Sequence, residues 1–378
     1  MRPLTLNLCR ENDVKNGIFR LEEKNATLKR ITVRICLPYL NGEITEDTSS
    51  IWERIASIPV LKDLSIHLNG KEATPVPIQN LVDALTGLLV CGSKIVSMRI
   101  NTIWMEGSIQ PFVKAIEQFP CLKSLHLWQT QVAQQEEGLE PLFALTSFLE
   151  EFKLEPCGIY RFSPASPDAM AAITKSKVLK TLTLDKLQDA EISAFLEALY
   201  QSETNNLKEL DFGDSKLQLS AVQSLSRILR KHSSLESLRI CIRENVPIDP
   251  LTDSLKSNTS LKRMCFCRSQ ETSSTISLQQ DINNFLAVLV EQNFTLEEIE
   301  VSLESKSYLE PVVDTEIEFY LQLNRSNRSE ILSYVAANHE ASMDPQYWID
   351  VLSSSEYNSD ASCLYYWLYK NPWICRGI

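Results

Sequence analysis

The sequence predicts an α/β solenoid, in which about 10–11 strand–helix units share one parallel sheet and a helical segment caps the C-terminal end. Two observations predict it. A short apolar pattern returns along the chain at intervals of 26 to 35 residues. Amphipathic segments with helical spacing lie between its copies. One such unit cannot bury its apolar side alone, so stacked neighbours must share a core.

The repeated pattern is apolar-x-x-apolar-x-apolar, with leucine preferred. Its copies begin at Met1, Leu28, Leu61, Ile95, Leu122, Leu149, Leu179, Leu207, Leu235, Leu261 and Leu296, and the first copy is degenerate. Residues two apart on a strand point to the same side. We therefore expect each copy to form a strand with its apolar residues in the core and the residues between them on the opposite face.

The segments between strands predict helices. Apolar residues recur at spacings of three and four within residues 192–200 and 222–229, which is the spacing of one helix face. A unit of about 28 residues has room for a full α-helix on the outer side of the sheet.

The units resemble the ribonuclease-inhibitor-like class of leucine-rich repeats over residues 1–305. That class places a small polar residue or cysteine eight residues after the first apolar position, where its side chain is buried in a turn. The matching residues here are Cys9, Cys36, Asn69, Thr130, Cys157, Ser215 and Ser269. The resemblance implies a curved parallel sheet inside, helices outside and protein binding on the concave sheet face.

The repeat ends after Val301, and this predicts two domains, a solenoid at 1–310 and a cap at 311–378. The second segment is rich in aromatic residues, including Trp348, Trp367 and Trp373. It covers the last core layer of the solenoid or, alternatively, forms a second binding surface. Phrases such as the one at 363–372 resemble the tails of uncharacterised leucine-rich-repeat families of diatoms and related algae, which implies no activity.

The residues between the apolar positions give the expected concave face an acidic middle. The candidate partner-binding residues are Trp128, Glu151, Glu155, Asp185, Glu209, Asp211, Arg239 and Arg263. Lys153 is the opposing charge in that middle region. This pattern is typical either of a solvated polar sheet or of a site for a basic segment of a partner, with Trp128 as its aromatic anchor.

Three cysteines fall on the same expected face, namely Cys241, Cys265 and Cys267. Equivalent positions on adjacent units bring thiols close enough for a bridge or a metal. However, no histidine follows at zinc-ligand spacing and the paired Cys-x-x-Cys is missing. We expect inert reduced thiols and no metal, with redox or metal binding as the alternative.

Composition and motifs exclude several classes of protein. The net charge of −12 and pI near 5.0 argue against nucleic-acid binding. The sequence shows neither a signal peptide nor a long apolar segment, which predicts a cytoplasmic or nuclear chain without membrane contact. It lacks a phosphate-binding loop and hydrolase motifs, which predicts no enzyme activity and no cofactor.

The loop containing Ser163-Pro164 and Ser166-Pro167 has two interpretations. The Ser-Pro pairs are potential kinase sites, where a phosphate would add about two negative charges. They are also residues that a turn requires for its backbone conformation.

Three functions remain open from the sequence. The first is a non-catalytic scaffold or inhibitor that binds a protein partner. The second is a GTPase activator of the repeat-only type, although the acidic tail common in that family is missing. The third is the substrate receptor of a ubiquitin ligase, although the repeats begin at Met1, where an adaptor-binding box would precede them. The oligomeric state is left open.

Overall fold

The computed structural model describes residues 4–8, 29–36, 52–69, 76–89, 94–102, 105–128, 140–155, 166–202, 206–231, 234–269, 285–286, 293, 295–304, 321 and 324. The cap predicted for 311–378 lies outside these residues except at positions 321 and 324. The turn positions at Cys9, Thr130 and Cys157 also lie outside them.

Eleven of the thirteen described strands occur where the repeat predicts them. The strands are β1 (Leu4–Leu8), β2 (Arg30–Cys36), β3 (Asp63–Asn69), β4 (Val76–Pro77), β5 (Ser97–Thr102), β6 (Met105–Glu106), β7 (Ser124–Trp128), β8 (Glu151–Glu155), β9 (Thr181–Leu184), β10 (Glu209–Leu217), β11 (Ser237–Arg243), β12 (Arg263–Ser269) and β13 (Glu298–Glu304). The two short strands β4 and β6 pair with each other, and the other 11 strands follow chain order in one sheet.

Helices separate most successive strands. They are α1 (Ile78–Leu89), α2 (Gln110–Glu117), α3 (Glu140–Phe143), α4 (Pro167–Thr174), α5 (Asp189–Gln201), α6 (Leu219–Lys231) and α7 (Asp249–Ser257). Residues 52–56 are also helical. The two amphipathic segments that the sequence identified lie within α5 and α6, so both helix predictions are confirmed.

One unit departs from the expected full helix. Between β7 and β8 the described helical residues are the four of α3 and a 3-10 turn, Ala144–Ser147. The buried hydroxyl of Thr146 donates to the carbonyl oxygen of Phe143 at 2.7 Å. A side-chain bond to the carbonyl three residues back competes with the α-helical ladder, and it accompanies the tighter turn here.

The core consists of the apolar residues of the repeat. At the second and third apolar positions of β2, β3, β5, β7, β8, β9 and β10, side-chain exposure is 0–1%. Helix residues such as Phe112, Phe195 and Leu196 complete this layer at 0–1% exposure. Burial of this kind contributes about 1.5–3 kcal/mol for each large apolar side chain, so the leucine ladder is the main source of stability.

Two side chains at the turn position, eight residues after the first apolar residue of a repeat, have a described environment. Ser215 and Ser269 are both buried. The Ser215 hydroxyl accepts a hydrogen bond from the backbone N–H of Leu187 at 3.0 Å. This is the role the repeat resemblance implies, because a buried turn needs side chains to satisfy its backbone groups.

The chain divides into two compact units. The first is Met1–Ser224 with Arg239–Cys241, and the second is Leu225–Leu238 with Ile242–Ile378. In the first unit, β1, β2, β3, β5, β7, β8, β9 and β10 pair in parallel. In the second, β12 pairs in parallel with β13. Within the described ranges, no helix is both long and apolar enough to cross a lipid bilayer.

Candidate protein-binding face

The register of the first unit arranges the alternate side chains in rows that run across the strands. We call this side of the sheet the strand face. One row, the tryptophan row, consists of Arg34, His67, Asn101, Trp128 and Glu155, each paired with the next on the neighbouring strand. Neighbouring parallel strands lie about 4.8 Å apart, so each residue in the row can contact the next.

A second row lies two residues earlier on the same strands. It contains Ser65, Arg99, His126, Lys153 and Thr183. Asp211 follows Thr183 in this row, on β10. Basic groups therefore lie towards β2 and β5, and carboxylates towards β8, β9 and β10.

Two carboxylates of the acidic middle are held by neighbours on the face. Glu151 accepts a hydrogen bond from the Ser124 hydroxyl at 2.7 Å, and its carboxylate lies 2.6 Å from Nζ of Lys153. Glu209 accepts from the Thr181 hydroxyl at 3.4 Å. Both glutamates are half-buried.

Three side chains of the chain itself lie beside carboxylates of the acidic middle, and the sequence had set only Lys153 against them. Besides Lys153, the His126 ring lies 3.3 Å from a Glu155 oxygen, and Arg239 lies 3.8 Å from an Asp211 oxygen. The sequence did not reveal these contacts because each joins residues on different strands. The acidic middle is therefore partly balanced within the chain.

Burial sets the ionisation of two of the aspartates. The pKa of Asp185 is raised by loss of solvent, although the backbone N–H groups of Asp214 and Lys186 donate to its carboxylate. The pKa of Asp211 is raised in the same way, and the charge of Glu155 adds to the effect, while Gly213 N–H and Arg239 oppose it. Both carboxylates therefore carry their charge at a cost.

Close packing around Asp185 involves a glycine. Gly213 has a φ of +53°, and a Cβ built there would lie 2.4 Å from Oδ1 of Asp185. A side chain at this position would displace the carboxylate and strain the backbone. Glycine at position 213 therefore leaves the space that the Asp185 carboxylate occupies on the strand face.

Among the described residues, Trp128 is the exposed large apolar side chain on this face. It is 37% exposed at the end of β7, next to Glu155 in the tryptophan row. The other two exposed large apolar residues in the described part of the chain, Val178 and Leu219, lie outside the strands. Of the remaining predicted residues, Arg239 is exposed on β11 and Arg263 is exposed on β12, where it pairs in register with Glu298.

The predicted thiol face is only partly present. Cys265 and Cys267 are half-buried on β12, but Cys241 is 1% exposed. The prediction that Cys241 lies on the open face is wrong because Ile240, Cys241 and Ile242 are all buried, which interrupts the alternation of β11. None of the three forms a disulfide with another described cysteine, and no group of three or more potential metal ligands occurs among the described residues.

Sequence reasoning missed a second group on the strand face, formed by the two histidines and their partners. Arg99 Nε donates to Nδ1 of His126 at 3.0 Å, and the Asn101 amide nitrogen lies 3.3 Å from Nδ1 of His67. Burial lowers the pKa of His67, and Arg34 and Arg99 lower it further. Burial also lowers the pKa of His126, despite the neighbouring Glu155. The alternation rule had placed these residues on one face, but the sequence did not show that they touch.

Comparison with known proteins finds matches among the solved structures. No protein-family model and no curated protein sequence matches the chain. The chain is similar in structure to the leucine-rich repeat-containing protein LegL7 from Legionella pneumophila, with 15% identity and a TM-score of 0.46 over 86% of this chain and 98% of that chain. These comparisons give no support to the algal resemblance of the tail. The eleven in-phase strands and their leucine core make the chain a leucine-rich-repeat solenoid.

Proposed function

We propose that the chain is a non-catalytic protein-binding scaffold or inhibitor, and that the acidic part of its strand face binds a basic segment of a partner. The observation that carries the proposal is Trp128, an exposed aromatic ring beside Glu155 on a face that otherwise presents polar groups. Exposed tryptophans surrounded by polar residues are typical of the centres of protein interfaces.

The ring and the carboxylate suit the same partner group. An arginine or lysine can lie over a tryptophan ring while it pairs with a carboxylate next to it, and such cation–π contacts contribute about 0.5–2 kcal/mol. Glu155 and Trp128 are direct neighbours across β7 and β8. A basic side chain of a partner therefore meets both groups at once.

The existing ion pairs do not block this site. The pairs Lys153–Glu151 and Arg239–Asp211 involve side chains that are 30–52% exposed. Pairs of this exposure contribute about 0–1 kcal/mol, so a partner can replace them at small cost. These ion pairs reduce the negative charge of the acidic part of the strand face, but that part still prefers cations.

The raised pKa values of Asp185 and Asp211 also support a binding role. A carboxyl group whose pKa is raised by folding binds its proton more tightly in the native state, so stability increases as the pH falls through that pKa. Above that pKa the carboxylates are charged and the native state bears the penalty of burying them. Sites that cost stability in this way are typical of residues retained for function.

The test uses three variants of the strand face. They are Trp128→Ala, Glu155→Gln and Asp211→Asn. The control is Glu117→Gln, a matched loss of charge at an exposed position of α2. Partners recovered from an extract of the source cells by each immobilised variant are compared by quantitative mass spectrometry. We expect each face variant to lower recovery of the same basic partner by about tenfold, which corresponds to about 1.4 kcal/mol.

Stability measurements separate binding from folding. In the wild type the Asp211 carboxylate accepts a hydrogen bond from Gly213 N–H at 2.7 Å. The Asp211→Asn variant keeps a side-chain oxygen that accepts this bond. The melting temperature at neutral pH should therefore be equal to or above that of the wild type, and the gain should disappear as the pH is lowered and the wild-type carboxyl group is protonated. Equal partner recovery by all four variants would exclude the strand face as the binding site.

A further inference from the structure

The basic part of the strand face carries an inference of its own. We propose that Arg34, His67 and Arg99 bind a phosphate monoester, and that the group they recognise is a phosphorylated serine or threonine of a protein partner. Arg34 and His67 lie on β2 and β3, at the opposite end of the tryptophan row from Glu155, and Arg99 lies in the second row on β5. The site uses residues different from those of the acidic part and does not depend on it.

Register brings the three groups together. Arg34 pairs with His67 across β2 and β3, and Arg99 pairs with Ser65 two residues before His67. Direct neighbours lie about 5 Å apart and diagonal ones about 7–8 Å, which long arginine side chains can span. Both guanidinium charges act on the His67 ring, since both lower its pKa in addition to the effect of burial.

Neighbouring residues fix the orientation of two of the groups. The Asn101 side-chain amide lies 3.3 Å from Nδ1 of His67 and holds the ring by this contact. The Arg99 guanidinium is fixed through Nε, which donates to His126 at 3.0 Å. An oriented ring and an oriented guanidinium bind an anion with less loss of side-chain freedom than two mobile side chains do.

The nearby charges leave this part of the face positive. On β3 itself, the carboxylate of Asp63 lies 3.3 Å from Arg30 of β2. The carboxylate of Glu155, two strands beyond Arg99, faces His126 at 3.3 Å. In the described part of the chain, no ion pair is observed for Arg34 or Arg99. The groups that face His67 are therefore mainly cationic.

The arrangement favours a single dianion over a polyanion. Two guanidinium groups and an imidazole match the two charges and several acceptor oxygens of a phosphate monoester, which is doubly charged above about pH 6. A nucleic acid or an anionic membrane would also cover the carboxylates of β8 and β10, and the chain's net charge of −12 would repel it. A phosphorylated side chain carries its charge at one point and avoids this repulsion.

Binding should couple to protonation of His67. In the free protein burial lowers the pKa of His67 and the charges of Arg34 and Arg99 lower it further, whereas a bound dianion offsets those charges and raises the pKa of His67. The complex therefore takes up a proton. Affinity for the phosphate therefore increases as the pH falls and the bound His67 ring is protonated. The increase continues for as long as the phosphate remains doubly charged.

The experiment follows the His67 ring by NMR during titration with N-acetylphosphoserine amide. We expect a saturable shift of the His67 resonances and a rise in the pKa of His67, with no shift from the unphosphorylated amide. Arg34→Gln and Arg99→Gln should each weaken binding about tenfold, the loss of one charge-assisted contact. Arg30→Gln is the matched control, since Arg30 lies on the same strand and face but pairs with Asp63, and it should change affinity less than about threefold.

Three results would overturn the proposal. The first is no shift of His67 with the phosphoserine probe. The second is an equal loss in Arg30→Gln and Arg34→Gln, which would indicate general electrostatic attraction. The third is tighter binding of a single-stranded oligonucleotide or of anionic phospholipid vesicles through Arg34 and Arg99, which would assign the site to another class of ligand. Retained partner recovery through Trp128 and Glu155 would show that the proposed function stands without this site.

Discussion

Buried asparagines show how single residues connect successive strand–helix repeats of this fold. Asn258, Asn293 and Asn324 each donate from the side-chain amide to backbone carbonyls of the preceding unit, at Leu229, Leu255 and Leu296 respectively, and each of these distances is 2.7 Å. The oxygens of Asn258 and Asn293 accept from the backbone N–H three residues later, at 2.7 Å. We call these three residues the asparagine ladder. All three lie in the second of the two compact units.

The sequence contained a signal for this ladder, but it had two meanings. Asn258, Asn293 and Asn324 begin Asn-x-Ser/Thr triplets, which are also the pattern of glycosylation acceptors. The first two stand three residues before the opening leucine of a repeat, and this fixed position is what distinguishes a structural asparagine from a surface one. Asn324 makes the same kind of bond although it lies in the segment that the sequence assigned to the cap.

Asn258→Ala should destabilise the protein by about 2–3 kcal/mol, because it leaves the buried carbonyl of Leu229 and the N–H of Leu261 without partners. Urea unfolding followed by circular dichroism measures the change. Asn206→Ala is the control: Asn206 is exposed, and its side-chain amide donates to the Lys177 carbonyl at 2.6 Å. It should cost under about 1 kcal/mol. Equal losses in the two variants would contradict a structural role specific to the ladder.

At the scale of the element, side chains just before the strands form ion pairs that the spacing of the sequence does not predict. Glu150, just before β8, lies 2.6 Å from Lys123 before β7 and 2.7 Å from Lys180 before β9. Hydrogen bonds from Lys123 and Lys180 lower its pKa to about 2. This link between three units is present above the ordinary carboxyl pKa and is lost as the pH falls towards 2. The sequence shows three charged residues at equivalent positions, but not that one carboxylate serves both lysines.

Helix α4 begins with a serine cap followed by a proline. The Ser166 hydroxyl accepts from the backbone N–H of Ala169 at 3.2 Å, and Pro167 occupies the first turn. This supports the turn interpretation of the Ser166-Pro167 pair. Its partner pair, Ser163-Pro164, lies outside the described residues.

Loss of this cap should be measurable on its own. Ser166→Ala is expected to lower the free energy of unfolding by about 1 kcal/mol, the usual cost of removing a helix cap. Ser166→Thr should retain most of the stability, since threonine presents a hydroxyl at the same position. Chemical denaturation of the two variants beside the wild type decides the matter. A threonine variant as unstable as the alanine variant would indicate that packing, and not the hydroxyl, stabilises this helix.

At the scale of the molecule, the phase of the repeat predicts which residues share a face but not which of them bind each other. Alternation alone places His67 and Glu155 on the strand face, because a one-residue shift would bury every polar group. The Arg99–His126 contact depends on side-chain rotamers, which periodicity does not specify. Burial of Cys241 depends on a local break in alternation. The leucine ladder and the acidic middle of the face were therefore predictable from sequence, whereas the contacts of its histidines and arginines across strands were not.

The two parts of the face predict a ligand with two charges at a defined spacing. His67 and Glu155 lie three strands apart in the tryptophan row. At about 4.8 Å per strand the separation is about 14 Å, which an extended peptide covers in about four residues. A peptide with phosphoserine and arginine at this spacing should bind at least about tenfold more tightly than peptides that carry either group alone, because the second contact forms within the complex.

Isothermal titration calorimetry of synthetic peptides tests this spacing. A peptide in which the two groups are adjacent has the same composition and charge, but it cannot reach both parts of the face, so its affinity should match that of the phosphoserine peptide alone. Arg34→Gln and Glu155→Gln should each reduce the four-residue peptide to the affinity of a single-contact ligand. Equal affinity at both spacings would mean that the two parts of the strand face do not act on one partner segment, since only simultaneous contact makes affinity depend on the distance between the charges.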